Sequence, residues 1–174
     1  MKRNMKRMIL LAVLSLAVTG CGQKKTKERR PKIPADWYRE TLQYYREGFD
    51  GGWKNERSDL NVSDEMKDGN NKFGYLLQDL DGDGASEVLI GLMDDSAETK
   101  IIDVFIWHSD RGAFRILHGG EGYYIYLCEQ NVLRMDSWRG AATDTKYMKY
   151  DSKNNSFTEL SEEAVPQKLE LTAF

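Results

Sequence analysis

The residues best suited to chemistry lie in one short segment, Asp79–Glu87, which reads DLDGDGASE. Its carboxylates occupy the first, third, fifth and ninth positions, as Asp79, Asp81, Asp83 and Glu87. Calcium takes roughly six to eight oxygen ligands, and a tight loop with alternating acids can wrap that many around one ion. Gly84 permits the sharp turn, and the seventh residue, Ala85, can offer its backbone carbonyl. The spacing therefore favours a Ca²⁺ site, and the alternative is a glycine-rich acidic surface turn without a metal.

The segments on both sides of this loop argue against an EF-hand. The twelfth position is Ile90, where an EF-hand needs a bidentate glutamate. Phe73–Leu77 before the loop and Glu87–Met93 after it are rich in β-forming residues, so we expect a strand–loop–strand unit. Without the twelfth ligand we expect weak affinity, of the order of 10⁻⁴–10⁻³ M as in extracellular modules. We therefore expect a structural calcium clip, in which the bound ion ties the two strands together, rather than a calcium sensor.

The sequence around the loop resembles two kinds of known protein. The DxDGDGxxE pattern is similar to the calcium hairpins of integrin-type propeller blades. The longer segment Leu77–Gly91 (LQDLDGDGASEVLIG) looks like a segment of small surface lipoproteins from Firmicutes-type bacteria, for which no activity is assigned. The resemblance covers about fifteen residues and occurs once, so it implies no propeller. It implies that the ligands are Asp79, Asp81, Asp83, the Ala85 carbonyl and Glu87, the last of these replacing the usual aspartate.

Elsewhere the sequence offers weaker candidates for chemistry. It contains no G-x-S-x-G, H-E-x-x-H or P-loop motif. The two histidines, His108 and His118, stand at predicted strand ends, where we expect surface or hairpin residues rather than ligands. An acidic pair for glycoside hydrolysis could come from Asp94, Asp95, Glu121 and Asp136, in a cleft lined by Trp107 or Trp138. Trp138–Asp144 is predicted to be an exposed loop, which either binds a partner or is a plain connection.

The first 32 residues are typical of a targeting sequence followed by a basic tether. Met1–Arg7 is basic, and Met8–Val18 is an apolar run too short to span a bilayer, which together indicate a signal peptide over residues 1–20. Val18–Cys21 (VTGC) resembles the bacterial lipobox, which implies that Cys21 becomes the diacylated mature N-terminus. Residues 21–32 then form a basic tether that is either a solvated spacer or a contact to anionic headgroups. Cys128 is left without a disulfide partner, and we expect a small core residue.

Composition and periodicity describe the remaining residues, 33–174, as one acidic domain. They carry 15 basic and 27 acidic side chains, a formal charge of −12, which disfavours nucleic acid as a partner. Tyr38, Leu42, Tyr45 and Phe49 share one helical face, so a helix should open near Pro34–Asp36 and end around Gly48–Gly52. Eight short β-like runs with turn signals between them then extend from Phe73 to Leu160. The sequence predicts a single α+β domain in which an N-terminal helix packs on a mainly antiparallel meander, either a curved sheet or an incomplete barrel.

These observations lead to one functional hypothesis and one alternative. The chain is predicted to be a lipoprotein on the extracytoplasmic face of the cell membrane, anchored through diacylated Cys21 and holding one structural Ca²⁺. It would act as a non-enzymatic binding module with a protein or glycan partner at the cell surface. The alternative is a cell-wall or glycan hydrolase that uses an acidic pair.

Overall fold

The apolar runs between Phe73 and Leu160 fold as strands. A computed structural model describes residues 33–174, which belong to one compact unit, Pro31–Phe174. The predicted signal peptide, the lipobox with Cys21 and the tether 21–32 lie outside the described residues. The helices are α1 (Arg39–Gly51) and α2 (Asp64–Lys67), with a 3₁₀ turn at Glu129–Asn131. The strands are β1 (Phe73–Gln78), β2 (Glu87–Leu92), β3 (Lys100–His108), β4 (Gly112–His118), β5 (Tyr123–Leu127), β6 (Leu133–Arg139), β7 (Ala142–Asp151), β8 (Ser156–Leu160) and β9 (Thr172–Ala173).

The strands form one open, antiparallel sheet. Its order is β8–β7–β6–β5–β3–β2–β1–β9, and β4 also pairs with β3. Lys100 and Ile101, at the start of β3, pair with β5, whereas the stretch from Asp103 to His108 pairs with β4. The antiparallel α+β prediction is therefore confirmed. Among residues 33–174 α1 precedes the strands, while its place relative to residues 1–32 lies beyond what the structure describes.

Two apolar clusters cover the two faces of the central strands. One cluster joins α1 to one face through Leu42, Tyr45, Val88, Ile90, Ile102 and Phe105. The other joins the opposite face to β5–β7 through Leu89, Val104, Ile125, Leu133 and Tyr150. Because β2 and β3 are buried on both faces, their sequences are nearly continuous apolar runs rather than an alternation. The sheet must therefore bend so that β5–β7 share a core with β2 and β3.

Helix α1 differs from its predicted bounds at its start. It begins at Arg39 rather than near Pro34–Asp36, because tight turns precede it: Trp37 N–H donates to the Pro34 carbonyl and Arg39 N–H to that of Asp36. At the other end Gly52 adopts a left-handed conformation (φ +67°) and its N–H donates to the Gly48 carbonyl, so the glycine stop is confirmed.

Trp138 and residues 140–144 are exposed, as predicted, but the prediction that Trp138–Asp144 is a loop is wrong. Its residues continue β6 and β7, with Trp138 opposite Thr143, and only Gly140 and Ala141 form the turn between the strands. Gly140 has φ +68°, a value that a two-residue hairpin turn requires and glycine adopts without strain. The run of small residues that suggested a loop is therefore the tight end of a hairpin.

Candidate metal centre

The acidic loop connects two paired strands, as the sequence predicts. Residues 73–78 and 87–92 pair in register from Phe73–Leu92 to Gln78–Glu87, which leaves residues 79–86 as the connection. One carboxylate oxygen from each of Asp79, Asp81 and Glu87 lies within 4.8 Å of the others. These three acids could together hold a metal ion, and they offer only oxygen ligands. They are three of the five ligands that the sequence predicts.

Backbone amides shape the loop around Asp79. Its Oδ1 accepts hydrogen bonds from the N–H groups of Gly82 and Asp83 at 2.8 and 3.1 Å, and its Oδ2 accepts from Gly84 at 2.9 Å. Gly82 and Gly84 both have positive φ, at +75° and +89°. The glycines therefore permit the curvature that turns three amides towards one carboxylate.

The other two predicted ligands lie beside this group. Asp83 Oδ1 accepts from the Ala85 N–H at 2.8 Å, and its Oδ2 lies 3.4 Å from the Ser152 hydroxyl. Asp83 is thus directed partly towards the turn between β7 and β8. Ala85 is engaged through its N–H, and Asp83 is not among the three acids whose carboxylate oxygens converge.

Glu87 is the buried member of the group. It is 5% exposed and accepts a hydrogen bond from the Leu80 N–H at 2.7 Å. Burial raises the pKa of Glu87 to about 7, with the Asp81, Asp83 and Asp79 charges adding to the rise and the Leu80 hydrogen bond opposing it. A bound cation would offset this unfavourable burial of negative charge.

Two distant segments hold the loop in place. Ser152, in the turn after β7, donates to Asp81 Oδ2 from its N–H at 2.9 Å and also from its hydroxyl. Asn131 Nδ2 donates to the Asp79 carbonyl at 2.7 Å, and Asn131 Oδ1 accepts from Gln78 at 3.0 Å. Sequence reasoning missed both residues because they lie 52 and 71 positions from their partners. No spacing signal in the sequence points to either of them.

A second polar cluster, also missed from the sequence, surrounds Asp103 in β3. Asp103 is fully buried, and its Oδ2 accepts a hydrogen bond from the Tyr45 hydroxyl at 2.5 Å. Its Oδ1 lies 3.1 Å from Arg115 Nη1 and 2.8 Å from His118 Nδ1. Burial and the neighbouring Asp103 charge raise the pKa of Tyr45 well above its ordinary value, which keeps the hydroxyl a donor. The cluster ties α1 to β3 and β4 through one carboxylate.

The histidines stand at strand ends, as predicted. His108 ends β3, and its Nδ1 accepts from the Asp110 N–H at 3.2 Å. His118 ends β4 and contributes to the Asp103 cluster. Cys128 is buried, as predicted, and burial raises the pKa of its thiol.

The acids predicted for hydrolysis make separate contacts. Asp94 accepts from the Ser96 N–H and lies 3.7 Å from Lys168 Nζ. Asp136 lies 3.1 Å from Arg134 Nη2 and accepts from the Thr145 hydroxyl at 2.9 Å. Glu121 is exposed in the turn between β4 and β5, and Asp95 is exposed next to Asp94. Within residues 33–174, no described hydrogen bond or ion pair links any two of these four acids.

Among residues 33–174, no helix combines the length and the apolar character that a membrane crossing requires. No protein-family model, curated protein or solved structure matches this chain.

Proposed function

We propose that the chain is an extracytoplasmic lipoprotein, anchored through diacylated Cys21, whose β-rich domain is a non-enzymatic binding module with one structural Ca²⁺. The observation that carries the proposal is the convergence of Asp79 and Asp81, in the β1–β2 loop, with Glu87 at the start of β2, beside two other segments that hold the loop in place. The basic tether 21–32 and the acidic domain agree with this arrangement, because an anionic membrane attracts the first and repels the second.

Calcium is the ion that these ligands suit best. The group offers carboxylate oxygens from the β1–β2 loop and the start of β2, and calcium accepts hard oxygen ligands in irregular geometry, whereas magnesium demands a near-ideal octahedron. Zinc prefers sites that include nitrogen or sulfur ligands. Asp79, Asp81 and Glu87 would hold the ion, with Asp83 and the Ala85 carbonyl as further ligands.

The ion would act as a clip between distant parts of the sheet. Asp81 belongs to the β1–β2 connection and Ser152 to the β7–β8 turn, and these strand pairs stand well apart in the sheet order. Their contact closes the bend over the shared core. A cation on Asp81 would lower the repulsion among the carboxylates and so stabilise that closure. Its contribution is to the free energy of folding, not to a reaction.

A binding role agrees with the contacts of the acidic residues. Glycoside hydrolysis needs two carboxyl groups that face one bond from suitable distances. Asp94 is engaged with Ser96 and Lys168, whereas Asp136 is engaged with Arg134 and Thr145. We therefore expect no hydrolysis of cell-wall glycans by the purified protein.

Metal binding can be measured with terbium, which replaces calcium at oxygen sites and luminesces when a nearby tyrosine is excited. Tyr150 is a suitable donor, because it lies in β7 only two residues before Ser152, whose N–H donates to Asp81. We expect terbium luminescence that calcium displaces and that Asp81→Asn abolishes. Asp95→Asn, at an exposed acid in the β2–β3 connection, is the matched control and should bind normally. No luminescence in the unmodified protein would contradict the metal site.

Anchoring needs a separate test in bacterial cells. Cells that express the full chain are labelled with an alkyne analogue of palmitate and then fractionated. We expect label and membrane association for the unmodified chain and for Cys128→Ala, and neither for Cys21→Ala. Labelling of Cys21→Ala, or a soluble and unlabelled parent protein, would refute the anchor.

A further inference from the structure

One face of β5–β7 is turned away from both apolar clusters. Side chains alternate between the faces of a strand, and Ile125, Leu133 and Tyr150 enter the core on the inner face. The residues between them point outward. We call this outer surface the aromatic face; it consists of Tyr124, Tyr126, Arg134, Asp136, Trp138, Thr143, Thr145 and Tyr147.

One ring of the aromatic face, that of Trp138, is exposed to solvent. Trp138 is 65% exposed, the largest exposed fraction among the aromatic residues of the described chain. Tyr124, Tyr126 and Tyr147 are half-buried beside it. The side chains of the aromatic face stand in three cross-strand rows: Trp138 with Thr143, then Tyr124 with Asp136 and Thr145, then Tyr126 with Arg134 and Tyr147.

The charged groups on the aromatic face are already paired. Arg134 Nη2 lies 2.9 Å from Glu98 and 3.1 Å from Asp136, and its guanidinium stands 4.3 Å from the Tyr126 ring centroid. Lys100 Nζ stands 4.3 Å from the Tyr124 ring centroid. Lys100 Nζ also lies 3.5 Å from Glu65, so the charges around Trp138 and Asp136 are balanced, while Lys149 points outward two residues beyond Tyr147 at the far end of β7. The aromatic face therefore does not complement a nucleic acid or an anionic lipid.

The composition of the aromatic face also disfavours a protein partner. Protein interfaces have an apolar core from which charged residues are depleted. Here the central positions are Arg134 and Asp136, and no aliphatic side chain lies among the eight residues of the face. Aromatic rings beside fixed charged groups and the exposed hydroxyls of Thr143 and Thr145 instead suit a ligand with apolar C–H surfaces and many hydroxyl groups.

We propose that the aromatic face of β5–β7 binds an uncharged glycan chain, with sugar rings stacked on Trp138 and sugar hydroxyls bonded to Asp136, Arg134 and the two threonines. This inference rests on the extracytoplasmic location in the proposed function, because cell-surface glycans are found there. Trp138 supplies the main apolar contact, since it is the most exposed ring. Asp136 orients the ligand through the carboxylate lone pairs that Arg134 and Thr145 leave available.

The test is calorimetric titration of the full-length chain, in a zwitterionic detergent without a sugar headgroup, with cellohexaose, maltohexaose and the hexamer of N-acetylglucosamine. At least one should bind with a dissociation constant of about 1 mM or lower. Trp138→Ala should weaken that binding about tenfold or more. Tyr123→Ala is the matched control, because Tyr123 is also an exposed aromatic of β5 (47%) but points to the opposite face. Its affinity should stay within about twofold of the parent.

Three outcomes would overturn the inference. One is no binding of any of the three sugars up to about 10 mM. Another is equal loss of affinity in Trp138→Ala and Tyr123→Ala. The third is self-association that Trp138→Ala abolishes while no sugar binds, which would make a second copy the occupant. The titrations are repeated in chelator, alongside calcium-dependent unfolding. Sugar binding without any calcium effect would refute the metal site alone, and a calcium effect without sugar binding would refute the glycan face alone.

Discussion

Replacing Asp103 with alanine should destabilise the domain more than any single exposed charge does. Asp103 is fully buried in β3, and one carboxylate serves Tyr45 from α1 and both Arg115 and His118 from β4. The substitution removes the acceptor but leaves three donors in place. Arg115 is 15% exposed in its side chain, so its charge would lose its partner largely out of contact with water.

The expected loss in the free energy of unfolding follows from this burial. Removing one partner of a buried ion pair typically costs about 3–5 kcal/mol, because an uncompensated charge remains. Tyr45→Phe removes only one hydrogen bond and keeps the ring, so about 1–2 kcal/mol is expected. For a domain of this size, each kcal/mol lowers Tm by roughly 3–4 °C. Asp103→Ala should therefore lower Tm by about 10 °C or more.

Asp59→Ala is the matched control for Asp103→Ala. Asp59 also pairs with an arginine, through Arg57 Nε at 3.0 Å and Nη2 at 2.5 Å, but its side chain is 61% exposed. Exposed pairs contribute about 0–1 kcal/mol. Free energies of unfolding are measured by urea titration, monitored by circular dichroism. The expected order of destabilisation is Asp103→Ala, then Tyr45→Phe, then Asp59→Ala. Equal losses for Asp103→Ala and Asp59→Ala would refute the reasoning.

Single contacts lead to three further predictions. Gly48→Ala should cost about 2 kcal/mol in urea titration, because its Cβ would lie 2.4 Å from the Trp53 ring; unchanged stability would contradict that packing. Asn131→Ala should cost about 2 kcal/mol in the same assay, since it removes the hydrogen bond to Asp79 and places alanine at φ +58°; a loss below about 0.5 kcal/mol would show that the loop does not depend on it. In chelator, the free energy of unfolding should fall by up to about 3 kcal/mol between pH 5 and pH 8, because the pKa of Glu87 is higher in the folded state than in the unfolded chain. Glu87→Gln should show a smaller fall. Equal falls in the parent and the variant would contradict the raised pKa of Glu87.

Local sequence patterns predicted the strands well. The sequence places β3 at Lys100–His108 and β2 at Glu87–Met93, and the structure has Lys100–His108 and Glu87–Leu92. The strand–loop–strand form of the acidic segment was also predictable, because glycines and acids at fixed spacing occur within nine residues. Such signals depend only on near neighbours in the chain, and the sequence contains them directly.

Contacts between distant residues were not predictable. Asp103 looks like one polar residue in an apolar strand, and nothing in its neighbourhood indicates that Tyr45 and His118 converge on it. The stretch between Trp53 and Asn71 is mostly polar, yet it places Leu60 and Val62 in the core beside α1. Single apolar residues in such a stretch carry no period, so their burial depends on the tertiary fold alone.

Calcium held by Asp79, Asp81 and Glu87 should stabilise the fold, and thermal unfolding of the full-length chain at increasing calcium concentration measures that stabilisation. At 100 times its dissociation constant, a ligand of the folded state adds about 2.7 kcal/mol, or roughly 8–10 °C in Tm for a domain of this size. We expect such a rise with calcium, a smaller one with magnesium, and none in Asp81→Asn, while Asp95→Asn behaves like the parent. An unchanged Tm up to about 10 mM calcium, beyond the weak extracellular range, would contradict the clip.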